Sequence, residues 1–129
     1  MVSRTLESVP LRLRQGGDSI KCMLDYGCAE GAITAALGKQ LGLPPARVLG
    51  ADVRSIPSLG FTFLPLSAEE DATPPGLGTI LPSIRDGAID LITSAMVFHH
   101  VTHVKAVLLE LRRVVSPQGA LVIREHHCI

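Results

Sequence analysis

Tryptophan is absent from these 129 residues, and the aromatic complement is three Phe and one Tyr. With 47% hydrophobic residues a core is still within reach, but it has to be aliphatic, built from Leu, Val, Ile and Ala. Charge of one sign is also lacking. Twelve basic and twelve acidic side chains leave a formal net charge of zero, so bulk charge draws in no nucleic acid. Only Arg4, Arg12, Arg14 and Lys21 make the N-terminal segment mildly basic. Three cysteines, Cys22, Cys28 and Cys128, are too few and too widely spaced for a disulfide framework and fit a reducing compartment. No C-x-x-C pair is present, and no metal site is expected. An N-terminal apolar leader is missing, and no apolar run approaches membrane-spanning length. These absences predict a soluble, cytoplasmic protein with no membrane partner. The length allows one domain and one core.

No internal repeat or low-complexity tract interrupts the chain. Residues 1–19 read as a lead-in, closed by the turn signal Gly16-Gly17-Asp18, and residues 20–129 as the domain. Ile20 to Asp25 reads as a strand buried on both faces, because Cys22, Met23 and Leu24 form a continuous apolar run. A glycine-bearing turn, Asp25 to Gly31, leads into a helix with Ile33, Ala36, Leu37 and Leu41 on one face. Gly42 and Pro44-Pro45 end that helix. Further strands are expected over Val48–Val53, Phe61–Leu66, Ala88–Ser94 and Ala120–Arg124. Residues 67–87, punctuated by Pro and Gly, read as loop. The clearest helix spans Val104–Val115, with an apolar stripe of Val104, Val107, Leu108, Leu111 and Val114-Val115, and with Lys105, Glu110, Arg112 and Arg113 off it. A turn at Ser116-Pro117-Gln118-Gly119 follows. Strands alternating with helices imply right-handed crossovers and a mostly parallel five-stranded sheet flanked by helices. Ligands in such sheets sit beyond the carboxyl ends of the strands, and every polar cluster of this sequence lies just after a predicted strand.

Chemistry concentrates first in the Asp25–Gly31 turn. Gly27 and Gly31 would let backbone N–H groups and a helix N-terminus approach a ligand, although a ligand-free tight turn would use the same glycines. The third glycine of a dinucleotide fingerprint is missing, since Ala29 stands between the two. Asp52 ends the second strand, where an acid accepts hydrogen bonds from ribose hydroxyls.

The segment Leu24-Asp25-Tyr26-Gly27-Cys28-Ala29-Glu30-Gly31 resembles the first motif of class I S-adenosylmethionine-dependent methyltransferases. Gly50-Ala51-Asp52-Val53 resembles their second-strand acidic motif. Gly87 to Ser94, followed by Met96-Val97-Phe98-His99-His100-Val101, resembles the fourth-strand motif, and Leu111 to Leu121 the helix–Pro–Gly–strand motif, with Gln118 in place of the usual first Gly. The pieces occur in family order over residues 20–125. The resemblance implies a Rossmann-like α/β fold with S-adenosylmethionine as cofactor. It implies that Asp25 and Gly27 face the methionine moiety, that Cys28 and Gly31 also belong to the cofactor site, that Asp52 holds the ribose, that Ser67, Ala68 and Glu69 border the adenine, and that Ser94 and Ala95 lie near the transferring methyl. The family fold continues with two more strands after the fifth. The expectation is therefore that another subunit or a longer parent chain covers the fifth-strand edge, Ala120–Ile123 being apolar on both faces.

All five histidines lie late in the sequence: His99, His100, His103, His126 and His127. His titrates near neutral pH, so His99 and His126, with Glu125, are the candidate general bases for a substrate proton. The expected reaction is methyl transfer to an acceptor, a small molecule being favoured over an RNA cap or a protein. No Asn-Pro-Pro-Tyr-type segment follows the fourth strand, where Thr93-Ser94-Ala95-Met96 stands. The alternative is a non-catalytic methyltransferase-like module in a larger assembly. A nicotinamide-dependent oxidoreductase is disfavoured by the two-glycine turn.

Overall fold

A computed structural model describes residues 20–29, 31–54, 60–66, 75–95, 97–98 and 101–125. Five strands run in parallel: β1 (Met23–Tyr26), β2 (Val48–Asp52), β3 (Thr62–Pro65), β4 (Ile89–Ala95) and β5 (Val115–Arg124). Helix α1 (Ala32–Gln40) joins β1 to β2 through a short 3-10 turn at Pro45–Arg47, and α2 (Val104–Val114) precedes β5. The sheet order is β3-β2-β1-β4-β5. The chain thus winds outward from β1 to β3, returns to the centre at β4, and winds the other way to β5. The reversal between β1 and β4 is the switch point at which such sheets open a crevice. This is the α/β architecture expected from the sequence.

Alternation along the central strands divides the core in two. Met23 and Leu91 join Leu37, Val48, Phe61 and Val122 on the α1 side. Leu24 and Ile92 join Val107, Leu111, Val114, Leu81 and Ile84 on the α2 side. Every residue of β1 is buried, Asp25 included, in keeping with the apolar run of Met23 and Leu24.

Several local expectations change. The first strand begins at Met23, because the amides of Lys21 and Cys22 donate to the Asp90 carboxylate (2.8 and 3.2 Å). In α1 the buried positions are Thr34, Leu37 and Gly38, with Gly38 letting Val48 pack against the helix, while Ile33 is 36% exposed. In α2 the buried face is Val107, Glu110, Leu111 and Val114, and Leu108 lies outside it at 38% exposure. The predicted turn at residues 116–119 is a bulge within β5: Ile89 pairs with Val115 and Leu91 with Ala120, so the intervening residues loop out of register. Gly119 is required there, since a Cβ would lie 2.8 Å from the Asp90 carbonyl. Within the described sheet β5 is an edge. Val122 is buried, but Leu121 and Ile123 on the other face are each 38% exposed, so the strand is covered on one face only.

Glu110 is fully buried and organises the segment before β4. Its carboxylate accepts the amides of Gly78 and Leu81 (both 2.9 Å) and the guanidinium of Arg113 (2.5 Å). Arg113 in turn donates to the carbonyls of Ile84 and Leu81 (2.8 and 2.9 Å) and to Asp86 (2.8 Å). Burial alone would raise the Glu110 carboxyl, but the bonds from Arg113, Leu81 and Gly78 overcome it and hold the group below the ordinary carboxylate range. No described helix is long and apolar enough to cross a membrane.

Candidate active site

A cavity of about 230 Å³ opens at the carboxyl ends of the central strands. The turn after β1 supplies Asp25, Gly27, Cys28 and Ala29, α1 supplies Ile33, β4 supplies Thr93, Ser94 and Ala95, and β5 supplies Arg124. Ile33 escapes the core because it walls this cavity.

Asp25 forms the floor. Asp25 pairs with Thr93 across the β1–β4 register, and both side chains fall on the α1 face. The Asp25 carboxylate accepts the hydroxyl of Thr34 at 2.7 Å and that of Thr93 at 3.1 Å. It is 7% exposed, and burial raises its pKa above the ordinary carboxylate value, against the opposing pull of those two hydroxyls. The two threonines escaped sequence reasoning. Thr93 becomes visible only once β1 and β4 are known to be neighbours.

The glycine turn has a packing role within the chain itself. Gly27 has φ +80° and Gly31 φ +81°, and a Cβ at either position would overlap the chain itself, Val97 in one case and Phe61 in the other. The described turn amides are already engaged. Gly27 and Cys28 donate to the Ala51 carbonyl (2.6 and 3.0 Å), Gly31 to the Cys28 carbonyl (2.9 Å), and Ala29 to Asp52 (2.8 Å). The glycines therefore admit packed side chains and close the turn, and these four amides cannot cradle a phosphate.

Asp52 ends β2 as predicted and fastens this turn. One carboxylate oxygen accepts the Ala29 amide and the other the Arg54 amide at 3.1 Å. It does not line the cavity, which stops short of the β2–β3 side. Ser94 lines the cavity, but its hydroxyl donates to the Tyr26 carbonyl at 3.0 Å. The Cys28 thiol is buried, and burial with the nearby Asp25 and Asp52 charges pushes it up to about 12. That shift favours the protonated thiol over the thiolate.

Glu125 follows β5, and its carboxylate accepts the amides of Val97 (2.9 Å) and Phe98. It holds Val97 and Phe98 just beyond the carboxyl end of β4. His99, His126, Ser67, Ala68 and Glu69 lie outside the described residues. Arg124 was not anticipated. One of its guanidinium nitrogens, Nη1, is buried without a hydrogen-bond partner.

A crevice at the switch point, with an acid at the end of β1 and another at the end of β2, is where Rossmann-like sheets bind their ligands. A family model described as a methyltransferase domain matches residues 24–123, and the chain belongs to that family. The fold and family are those of class I S-adenosylmethionine-dependent methyltransferases. No curated protein matches the chain. Among solved structures it resembles a putative methyltransferase from an antibiotic biosynthesis pathway of Anabaena variabilis, with TM-score 0.66 and 19% identity over 95% of this chain and 43% of that one. The complex between the Haloferax volcanii Trm112 methyltransferase activator and a putative methyltransferase gives TM-score 0.64 and 19% identity over 92% of this chain and 48% of the matched one. An S-adenosylmethionine-dependent methyltransferase from Mesorhizobium loti gives TM-score 0.62 and 21% identity over 91% of this chain and 52% of that one. The chain thus spans about half the length of these structures.

Proposed function

We propose that this chain binds S-adenosylmethionine and carries out methyl transfer to a small-molecule acceptor. The observation that carries the proposal is the hydroxyl-clamped Asp25 at the floor of a switch-point cavity whose described turn amides offer no phosphate cradle. A cavity of about 230 Å³ is small for a whole cofactor but suits its amino-acid arm. The residues present fit that group: a buried carboxylate for an ammonium, and apolar walls from Ile33 and Leu37.

Bound there, the cofactor supplies an electrophilic sulfonium methyl that leaves a neutral thioether. The chain's residues then have the following roles. Asp25 holds the ammonium, its orientation fixed by Thr34 and Thr93. Gly27, Cys28 and Gly31 shape the turn over the arm. Ser94 and Ala95 border the place of transfer. Asp52 holds the ribose while fastening the turn, and Ser67, Ala68 and Glu69 border the adenine. Glu125, His99 and His126 are the groups able to take an acceptor proton, and Glu125 also positions residues 97–98. The balanced charge of the chain supports a small acceptor over RNA.

Calorimetric titration with S-adenosylmethionine, S-adenosylhomocysteine and NAD tests the proposal. Binding of the first two and not of NAD is expected. Binding of NAD alone would overturn it.

A further inference from the structure

Strand alternation places Arg124 on the same face of the sheet as Asp25. Val122 packs on the α1 side, so Arg124, two residues on, also points there. Arg124 pairs with Ala95 at the end of β4, and Asp25 pairs with Thr93 two residues earlier. The two charged residues are thus two strands apart, about 10 Å across the sheet, and both line one cavity. They form no ion pair with each other: Asp25 is engaged by two threonine hydroxyls, and Nη1 of Arg124 is buried with no acceptor among the described residues. A buried guanidinium N–H without a partner is costly, and its cost is recovered when an anion enters. An arginine fork matches a carboxylate in particular.

We propose that Arg124 is the carboxylate-binding residue of this cavity and that, with Asp25, it cradles the zwitterionic amino-acid arm of the cofactor. The ammonium goes to Asp25 and the carboxylate to Arg124. This rests on the S-adenosylmethionine reading above. The complementarity favours a zwitterion over a simple anion, because an anion alone would meet the unneutralised carboxylate of Asp25.

The test is calorimetric titration of the full chain with S-adenosylhomocysteine, its decarboxylated analogue and methylthioadenosine, using wild type, Arg124→Met and Arg124→Lys. Wild type should bind S-adenosylhomocysteine about tenfold or more tighter than the decarboxylated analogue, the scale of a charge-assisted hydrogen bond. Arg124→Met should abolish that preference and leave methylthioadenosine affinity unchanged, with Arg124→Lys in between. Equal wild-type affinity for S-adenosylhomocysteine and its decarboxylated analogue would overturn the proposal and leave the carboxylate partner to be sought on the acceptor. Equal weakening of all three ligands by Arg124→Met would also overturn it, by making Arg124 structural. If methylthioadenosine binds and only the Arg124 dependence fails, the cofactor assignment stands. If wild type binds none of the three, both fall. Should a variant not fold, equal wild-type affinities for S-adenosylhomocysteine and its decarboxylated analogue would still overturn the proposal.

Discussion

Replacing Asp25 by asparagine separates folding from cofactor binding. The substitution keeps shape and removes charge. In the native protein the carboxylate is 7% exposed and its pKa is raised chiefly by burial. A raised native pKa means that the folded state binds this proton more tightly than the unfolded chain does. Stability from this group is therefore greatest at low pH and is lost as pH rises from the unfolded value, near 3.9, through the raised native one. At neutral pH the charge is a standing cost. The carboxamide introduced by Asp25→Asn does not titrate. Its oxygen still accepts one threonine hydroxyl, and the other hydroxyl must turn to accept from the new N–H; the charge assistance lost in that exchange is about 1 kcal/mol. The desolvation relieved opposes it. Asp25→Asn is expected to melt at or above the wild-type temperature at pH 7 and to lose the gain that wild type makes on acidification through its raised native pKa. Cofactor affinity should meanwhile fall by about 1.5–3 kcal/mol, roughly ten- to a hundredfold, as an ammonium loses its anionic partner. Thermal melting by circular dichroism at pH 5 and 7, with S-adenosylhomocysteine titration, reads both. A variant that melts well below wild type at pH 7 yet keeps its affinity would refute the reasoning on both counts.

Glu110→Ala should cost about 3–5 kcal/mol in urea denaturation, because it strands Arg113 and two amides, and adding Arg113→Met should recover part of that loss. Since the Glu110 pKa is lowered, its contribution is full above the ordinary carboxylate range and is lost as pH falls through the native value; the wild-type acid limb should therefore steepen below about pH 4.3 and be absent in the variant. Gly27→Ala should destabilise by about 1–3 kcal/mol, from its positive φ and the overlap with Val97, and Val97→Ala should relieve the overlap in a double-mutant cycle. If Gly27 did not pack against Val97, Val97→Ala would recover none of the Gly27→Ala loss. Asp52→Ala should lower apo stability by about 1–3 kcal/mol through the lost Ala29 and Arg54 amide bonds, so its effect on cofactor affinity must be measured in protein confirmed folded by melting.

Where one residue's neighbours are set by its own strand or helix, the sequence was legible. Cys22-Met23-Leu24 announced a strand covered on both faces, and the Asp25 and Asp52 positions followed from the strand ends. Legibility failed where partners come from afar. Glu110 looks like a solvated charge on α2, and only the 78–86 segment folding over it reveals a buried hub. Thr93 and Arg124 acquire their roles through registers across β1–β4–β5, which no local pattern encodes. The Ser116–Gly119 signal correctly marked a break in regularity, yet the break is a bulge, because Val115 already pairs with Ile89.

The self-satisfied turn bears on competition inside any cell that holds abundant adenosine phosphates. Those molecules share the adenosine of S-adenosylmethionine and outnumber it. With the amides of Gly27, Cys28, Ala29 and Gly31 committed to Ala51, Asp52 and Cys28, an incoming polyphosphate gains no donors from them to replace its water. It would also approach two carboxylates, Asp25 and Asp52, set at adjacent strand ends. On the proposed reading selectivity comes from what the turn withholds, and a substitution that freed one of those amides is expected to widen the nucleotides admitted.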